Sequence, residues 1–313
     1  MKIFKLLIPA VLVTVSLSSC LKNKFDQMNP DGSPSVIEFA NPSAPSSETP
    51  GGSAFTVFPV SYLSATSTEA SYKIQLSGPE PAAQDIIVNV GVRSDAVTKL
   101  NDEKKIISSY VPYVELPSSL YTITTPTVTI PAGQRSASVK VAFKTSSFDF
   151  SKKYALPIAI TSTSFGSPSG NFGTILLNVT AKNEWDGIYS VSSGVVTRYT
   201  APGVPAGDAL SGNLAGNPDI TATSINGTTV ELTNLRWAGG SSAVSGIENL
   251  RATINPATNQ VTMTSGVNPT LRNIPGKDNK YDPATKTFTL NFDWNQTSTP
   301  REMTLVIKYK GSR

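Results

Sequence analysis

The chain contains no histidine in 313 residues. That removes His-based triads, imidazole metal ligation and histidine proton shuttles, leaving carboxylates, lysines and tyrosines for any acid–base work. Asp293 and Glu302 flank a turn between two alternating segments and could meet across a hairpin. A glycosidase needs such a pair about 5 to 9 Å apart, but neither residue lies in a recognisable motif, and two-carboxylate enzymes usually need a deep cleft in a larger domain. Residue types suited to binding are easier to find. Trp237, in LRWAGGSS, stands beside a Gly-Gly pair where a strand runs out into a loop; its ring either stacks on the C–H face of a sugar or covers the end of a core. Arg198 and Tyr199 precede the Gly/Pro/Ala-rich stretch 200–218 and form a second candidate pair. Asn291, Asp293 and Asn295 are spaced two apart, so on a strand they share a face and form a polar ladder. That ladder lines a wet barrel interior or is a solvated outer face. Asp278 and Asp282 have no EF-hand spacing and read as a solvated hairpin, so no metal site and no cofactor are expected.

The single cysteine carries a different chemistry. Lys2 and Lys5 precede an apolar run, Leu6 to Val15, too short to span a bilayer, and the segment closes in small residues at VSLSSCLK. Leu17-Ser18-Ser19-Cys20 resembles the bacterial lipobox. On that reading residues 1–19 are a removed signal peptide and Cys20 is the lipidated first residue, whose several acyl chains hold the protein to a membrane without a spanning helix. No disulfide is then possible. The 26 basic side chains, two of them in the signal, nearly balance 22 acidic ones, which argues against nucleic acid as a partner.

The elements that would position these residues are strands. After a polar linker over residues 20–34, alternation at Ile86/Val88/Val90/Val92, Ala137/Val139/Val141/Phe143 and Tyr154/Leu156/Ile158/Ile160 predicts half-buried strands. Similar stretches at 55–63, 70–76, 127–130 and 174–180 make seven or more, separated by turns, the pattern of a β-sandwich over residues 35–182. Only Asp95 to Ser109 reads as helical, with Asp95 as its N-cap. Residues 183–313 form a second β-rich block, in which Phe288/Leu290/Phe292/Trp294 and Met303/Leu305/Ile307/Tyr309 alternate with polar neighbours. Its fold class is all-β, an antiparallel barrel or a second sandwich. Trp185, opening that block, is expected to plug a closed end, stacked on Arg301.

LPSSLYTITTPTVTIPAGQ, KKYALPIAITST and ILLNVTAKN together resemble the domain of unknown function 1735, found in surface lipoproteins of Bacteroidota. The resemblance covers roughly residues 35–182 and implies an immunoglobulin-like β-sandwich there; WDGIYSV and REMTLVIKYKG are similar to the lipocalin-like C-terminal barrels often fused to it. It further implies a non-catalytic glycan-binding role at the outer membrane, with an oligosaccharide or polysaccharide ligand and transporter components as partners. The expected function is therefore glycan capture for uptake, with a structural adhesin or fimbrial-type subunit as the alternative. The first arginine, Arg93, lies too deep in the sandwich to match the cleavage by which such fimbrial subunits mature. LKNKFDQ lacks the acidic tract that usually follows the cysteine in surface-exported lipoproteins of that phylum, which leaves open whether the protein faces the cell surface or the periplasm.

Overall fold

A computed structural model describes residues 34–47 and 54–313. The signal segment, Cys20 and most of the linker lie outside the described residues. The first module contains β1 (Val36–Phe39), β2 (Thr56–Leu63), β3 (Thr68–Ser77), β4 (Ile86–Val92), α1 (Asp95–Lys104), β5 (Val114–Glu115), β6 (Tyr121–Ile123), β7 (Thr127–Ile130), β8 (Ser136–Phe143), β9 (Tyr154–Thr163), β10 (Ser167–Pro168) and β11 (Thr174–Lys182). They make two facing sheets, β10-β1-β3-β8-β6 and β2-β11-β9-β4-β7 with β5 on β9. Inward residues of both sheets, among them Phe39, Ile74, Val88, Val141, Phe143, Leu156 and Leu177, form one core.

Two features depart from the periodicity. In β9, every residue from Tyr154 to Ile160 is buried, rather than every second one. The reason is α1, which presents Ala96, Val97 and Leu100 to the outer face of this sheet and covers Ala155 and Leu176 there. A strand covered on both faces loses the alternation that exposes its period. The helix also closes at Lys104, short of Ser109, and Asp95 is not its cap but its first residue, with Ser94 at the cap position. The Asp95 carboxylate instead pairs with Lys99 at 2.8 Å and Arg93 at 3.0 Å, and those hydrogen bonds, Lys99's first, hold its pKa down at about 2.

The second module contains β12 (Gly187–Ala201), β13 (Val204–Pro205), β14 (Gly212–Asn213), β15 (Ile220–Ser224), β16 (Thr229–Thr233), β17 (Leu250–Ile254), β18 (Val261–Ser265), β19 (Arg272–Asn273), β20 (Lys280–Asp282), β21 (Thr287–Trp294) and β22 (Arg301–Gly311). Their order is β18-β17-β16-β15-β12-β22-β21-β19. This sheet curls until its ends meet, giving a nearly closed barrel. β12 reaches three neighbours on one side, β15, β14 and β13, by bending: its register against β22 slips between Val191 and Ser193, and a bulge increases local twist. Gly194, just past the slip, allows the close approach, because a Cβ there would lie 2.4 Å from the Thr304 carbonyl oxygen.

The seam of the barrel is closed by asparagines rather than by a full ladder. Asn273 donates from Nδ2 to the Val261 carbonyl at 2.7 Å and accepts from the Met263 N–H at 2.8 Å. The Asn279 carbonyl accepts from Val261 N–H at 2.9 Å, while its side chain accepts from Asn291 N–H at 2.6 Å and donates to Asn291 O at 3.0 Å. A side-chain amide carries the same donor–acceptor pair as a peptide, so it can stand in for a missing strand residue. The interior is packed solid with Tyr189, Phe288, Leu290, Phe292, Trp294, Met303, Leu305 and Ile307, each nearly or wholly inaccessible. The wet interior allowed for the polar ladder is therefore ruled out: a core filled this tightly leaves no lumen.

Candidate ligand-binding site

The structure brings three of the sequence candidates together at one end of the barrel, yet as a closed plug. Trp237 is buried, stacked at 6.1 Å on Trp294, which in turn stacks at 6.0 Å on Phe292. The Arg198 guanidinium lies 5.2 Å from the Trp237 ring centroid and forms an ion pair with Asp208. Tyr199 is next to it in the strand, its hydroxyl hydrogen-bonded to Glu302; burial, then the Glu302 charge and that bond, push its pKa up. The stretch 200–218 is not an open loop. It folds back on β12 as β13 and β14, with Ser211 Oγ accepting from Arg198 N–H at 3.1 Å and Asn217 Nδ2 donating to Trp237 O at 2.9 Å. With Trp294 stacked against it, Arg198 near its ring and only 7% of its surface exposed, Trp237 has no free face for a sugar.

The polar ladder is likewise spent. Asn295 does not continue it, because β21 ends at Trp294 and Asn295 turns to a φ of 57°. Its amide oxygen accepts from Asn268 Nδ2 at 3.1 Å. Asp293 is buried against Arg272 at 3.0 Å and Gln296 at 2.7 Å, and Asn291 is tied to the seam through Asn279. Asp293 and Glu302 do pair across the last hairpin, but each is already engaged, Asp293 with Arg272 and Glu302 with Tyr199. Trp185 is also placed differently from expectation. β12 and β22 run antiparallel, which puts Arg301 opposite Arg198 at the far end, and Trp185 packs edge-on against Tyr281 at 6.2 Å.

An open recess lies elsewhere, between the modules. A cleft of about 530 Å³ is lined by Tyr62 and Leu63 at the end of β2, by Lys182 and Glu184 at the junction, and by Tyr281, Lys286 and Tyr309 of the barrel. Tyr62 is held rigidly: its ring stacks on Phe143 at 5.4 Å and its hydroxyl shares a 2.8 Å hydrogen bond with Tyr72. Tyr309 packs edge-on against Tyr189 at 5.6 Å and remains partly exposed at the end of its strand. The pKa of Tyr281 is raised, by burial and then by the charge of Glu184. A second cleft, about 260 Å³ beside β16 and β17, is walled by Leu232, Leu235, Val244, Ile247 and Leu250 and offers no aromatic face.

The cleft's shape depends on how the modules join. Asn183 donates from Nδ2 to Asn226 O at 2.8 Å and Thr229 O at 3.0 Å, pinning the linker to the β15–β16 turn. Asp186 accepts from Ser224 N–H at 2.8 Å, Ser224 Oγ at 2.9 Å and Arg313 Nε at 2.8 Å, with its own side chain 2% exposed. Asp186→Ala strands the Ser224 donors and is expected to cost about 1–2 kcal/mol of stability; the Arg313 pair adds little because that side chain is 45% exposed. A urea midpoint equal to wild type would show that the junction is held by other contacts.

Sequence reasoning missed these cleft residues for a simple reason. Tyr309 shares the parity of the core residues Met303, Leu305 and Ile307, and only its position past the end of the core leaves it partly open. Tyr281 sits in a turn-like string, DNKYDPATK, and Tyr62 in the other module. The one local signal is Lys286, a residue at φ 51° where a turn favours glycine or asparagine.

These features define a class: an all-β protein of two modules, a sandwich and a nearly closed barrel, with a cleft at their junction. Residues 49–165 match a family model for an N-terminal domain, and residues 173–310 match a family model for a C-terminal domain. The fold is similar to that of a solved Bacteroides ovatus protein of unknown function, with a TM-score of 0.57, 14% identity, and coverage of 88% of this chain and 95% of that one. A multidomain protein including DUF1735 from Bacteroides ovatus aligns with a TM-score of 0.49 and 18% identity, over 87% and 93% of the two chains. An auxiliary nutrient binding protein from Bacteroides thetaiotaomicron aligns with a TM-score of 0.47 and 15% identity, over 84% and 91%. No curated protein matches the chain.

Proposed function

We propose that the protein is a lipoprotein anchored to the outer membrane through Cys20, and that it binds glycans without altering them, holding polysaccharide for uptake. The observation that carries this reading is the cleft of about 530 Å³ between the modules, in which tyrosine rings stand beside charged side chains. Tyrosine offers a flat face to sugar C–H groups and a hydroxyl to their oxygens, while ammonium and carboxylate groups at the rim bond the remaining hydroxyls. The rigid seating of Tyr62 and the pinned linker favour binding, since little ordering is left to be done when the ligand arrives. A non-catalytic role is supported by the absence of histidine and by the engagement of Asp293 and Glu302 with Arg272 and Tyr199. The anchor reading rests on the lipobox-like Leu17-Ser18-Ser19-Cys20.

Affinity electrophoresis of the soluble form from Phe25 onward against neutral and acidic polysaccharides tests the reading. Retarded mobility in at least one gel is expected, and Tyr309→Ala should weaken it about tenfold or more, the loss of one sugar–ring contact of at least about 1.4 kcal/mol. Unchanged mobility with every polysaccharide would favour a structural adhesin instead. Retention that Tyr309→Ala leaves intact would remove the cleft as the site.

A further inference from the structure

The cleft is unevenly charged, and the imbalance has a structural origin. Lys182 and Lys286 line it, one from the end of β11 and one from the turn that leads into β21. Neither forms an ion pair among the described residues, so within the cleft both charges are open to a ligand. Two carboxylates share the cleft with them. Asp186 is turned inward onto Ser224 and Arg313 and is 2% exposed, so it neutralises neither ammonium. Only Glu184 remains to balance the two lysines.

Lys286 adds an independent sign. It occupies the left-handed region at φ 51°, a conformation that a side chain opposes and glycine accepts freely. In that conformation its ammonium is held 5.0 Å from the Tyr309 ring centroid, over an aromatic wall of the cleft. Backbone strain at a ligand-facing position is the pattern of a residue kept for what its side chain meets. An ammonium poised over a ring forms one corner for an anion beside a sugar face.

We infer that the ligand of this cleft is an acidic saccharide, one whose carboxylate or sulfate is held by Lys182 and Lys286 while its ring lies against Tyr309. This rests on the reading of the cleft as the glycan site and narrows it to a chemical class. Ammonium groups bind such anions through charge-assisted hydrogen bonds, stronger than those to neutral hydroxyls.

The experiment compares polygalacturonate, dextran sulfate and dextran against the full mature chain, by affinity electrophoresis and titration calorimetry at low and high sodium chloride. Polygalacturonate tests the carboxylate and dextran sulfate the sulfate, with dextran as the uncharged control. Binding of at least one acidic polymer is expected, weakening with salt, and weakened about tenfold by Lys182→Ala and by Lys286→Gly. Lys286→Gly should at the same time keep or raise the thermal midpoint, since it relieves the left-handed position, which separates loss of contact from loss of fold. Acidic polymers bound equally well by both variants would overturn the inference. Neutral polysaccharides bound with Tyr309 dependence and no acidic preference would overturn it too, while leaving the glycan-binding reading standing. Failure of every polysaccharide, neutral or acidic, would remove both.

Discussion

Trp237→Ala is expected to lower the stability of the barrel by about 3–5 kcal/mol, the usual cost of deleting a buried tryptophan ring. The ring is stacked at 6.1 Å on Trp294 and covered by Arg198, whose guanidinium lies 5.2 Å from the Trp237 ring centroid. Its removal takes away both contacts and leaves a cavity at the end of the core. It also leaves the Arg198–Asp208 pair without the surface on which it rests. All three tryptophans, Trp185, Trp237 and Trp294, belong to the barrel. Tryptophan fluorescence therefore follows that module alone, and urea unfolding read by fluorescence measures the loss directly. Ligand binding by the folded fraction should persist, because the cleft between the modules does not include this ring. A variant that keeps wild-type stability but loses glycan retention would reverse the assignment and return Trp237 to the binding surface.

Asn279→Ala should cost about 2–3 kcal/mol. Asn279 is 3% exposed, and its amide supplies both a donor and an acceptor to the backbone of Asn291 in β21. The Asn291 carbonyl retains a bond from Ile274 N–H at 3.0 Å, so the lasting damage is the stranded Asn291 N–H. Because Asn279 also holds Val261 of β18 through its own carbonyl, weakening this point opens the barrel where its ladder is least continuous. Hydrogen exchange should rise first at Val261 and Asn291. Asn279→Asp provides a chemical check. Its carboxylate keeps the acceptor but turns a second oxygen on the Asn291 carbonyl, so the folded state favours the protonated acid. The loss should then shrink as the pH falls through the acid's raised folded-state pKa toward the ordinary carboxylate value of the unfolded chain. Equal stability of wild type and both variants would mean that the seam carries no weight.

Much of the scaffold was legible without coordinates. Period-two alternation in Phe288/Leu290/Phe292/Trp294 and in Val139/Val141/Phe143 marks strands with one buried face, because successive side chains on a strand point to opposite sides. The same logic failed where tertiary packing covers the second face, as α1 does over Ala155 and Leu176. It failed again past the end of a strand, where Asn295 leaves the register of Asn291 and Asp293.

What the sequence determined by itself was class and inventory: an all-β chain, two blocks of strands, no histidine chemistry, a cysteine placed as in a lipobox. Those properties are local or compositional, and no folding is needed to read them. Which aromatic rings are open was settled only by the tertiary structure. Trp237 and Tyr309 are both rings near strand ends, but one is roofed by a folded-back loop and an arginine, and the other stands at a junction between modules. A cleft assembled from Tyr62, Lys182, Lys286 and Tyr309 has no spacing in the chain, because its walls come from three parts of the chain (around 62, 182 and 286–309) that lie about a hundred positions from one another and that only the pinned linker at Asn183 and Asp186 brings face to face.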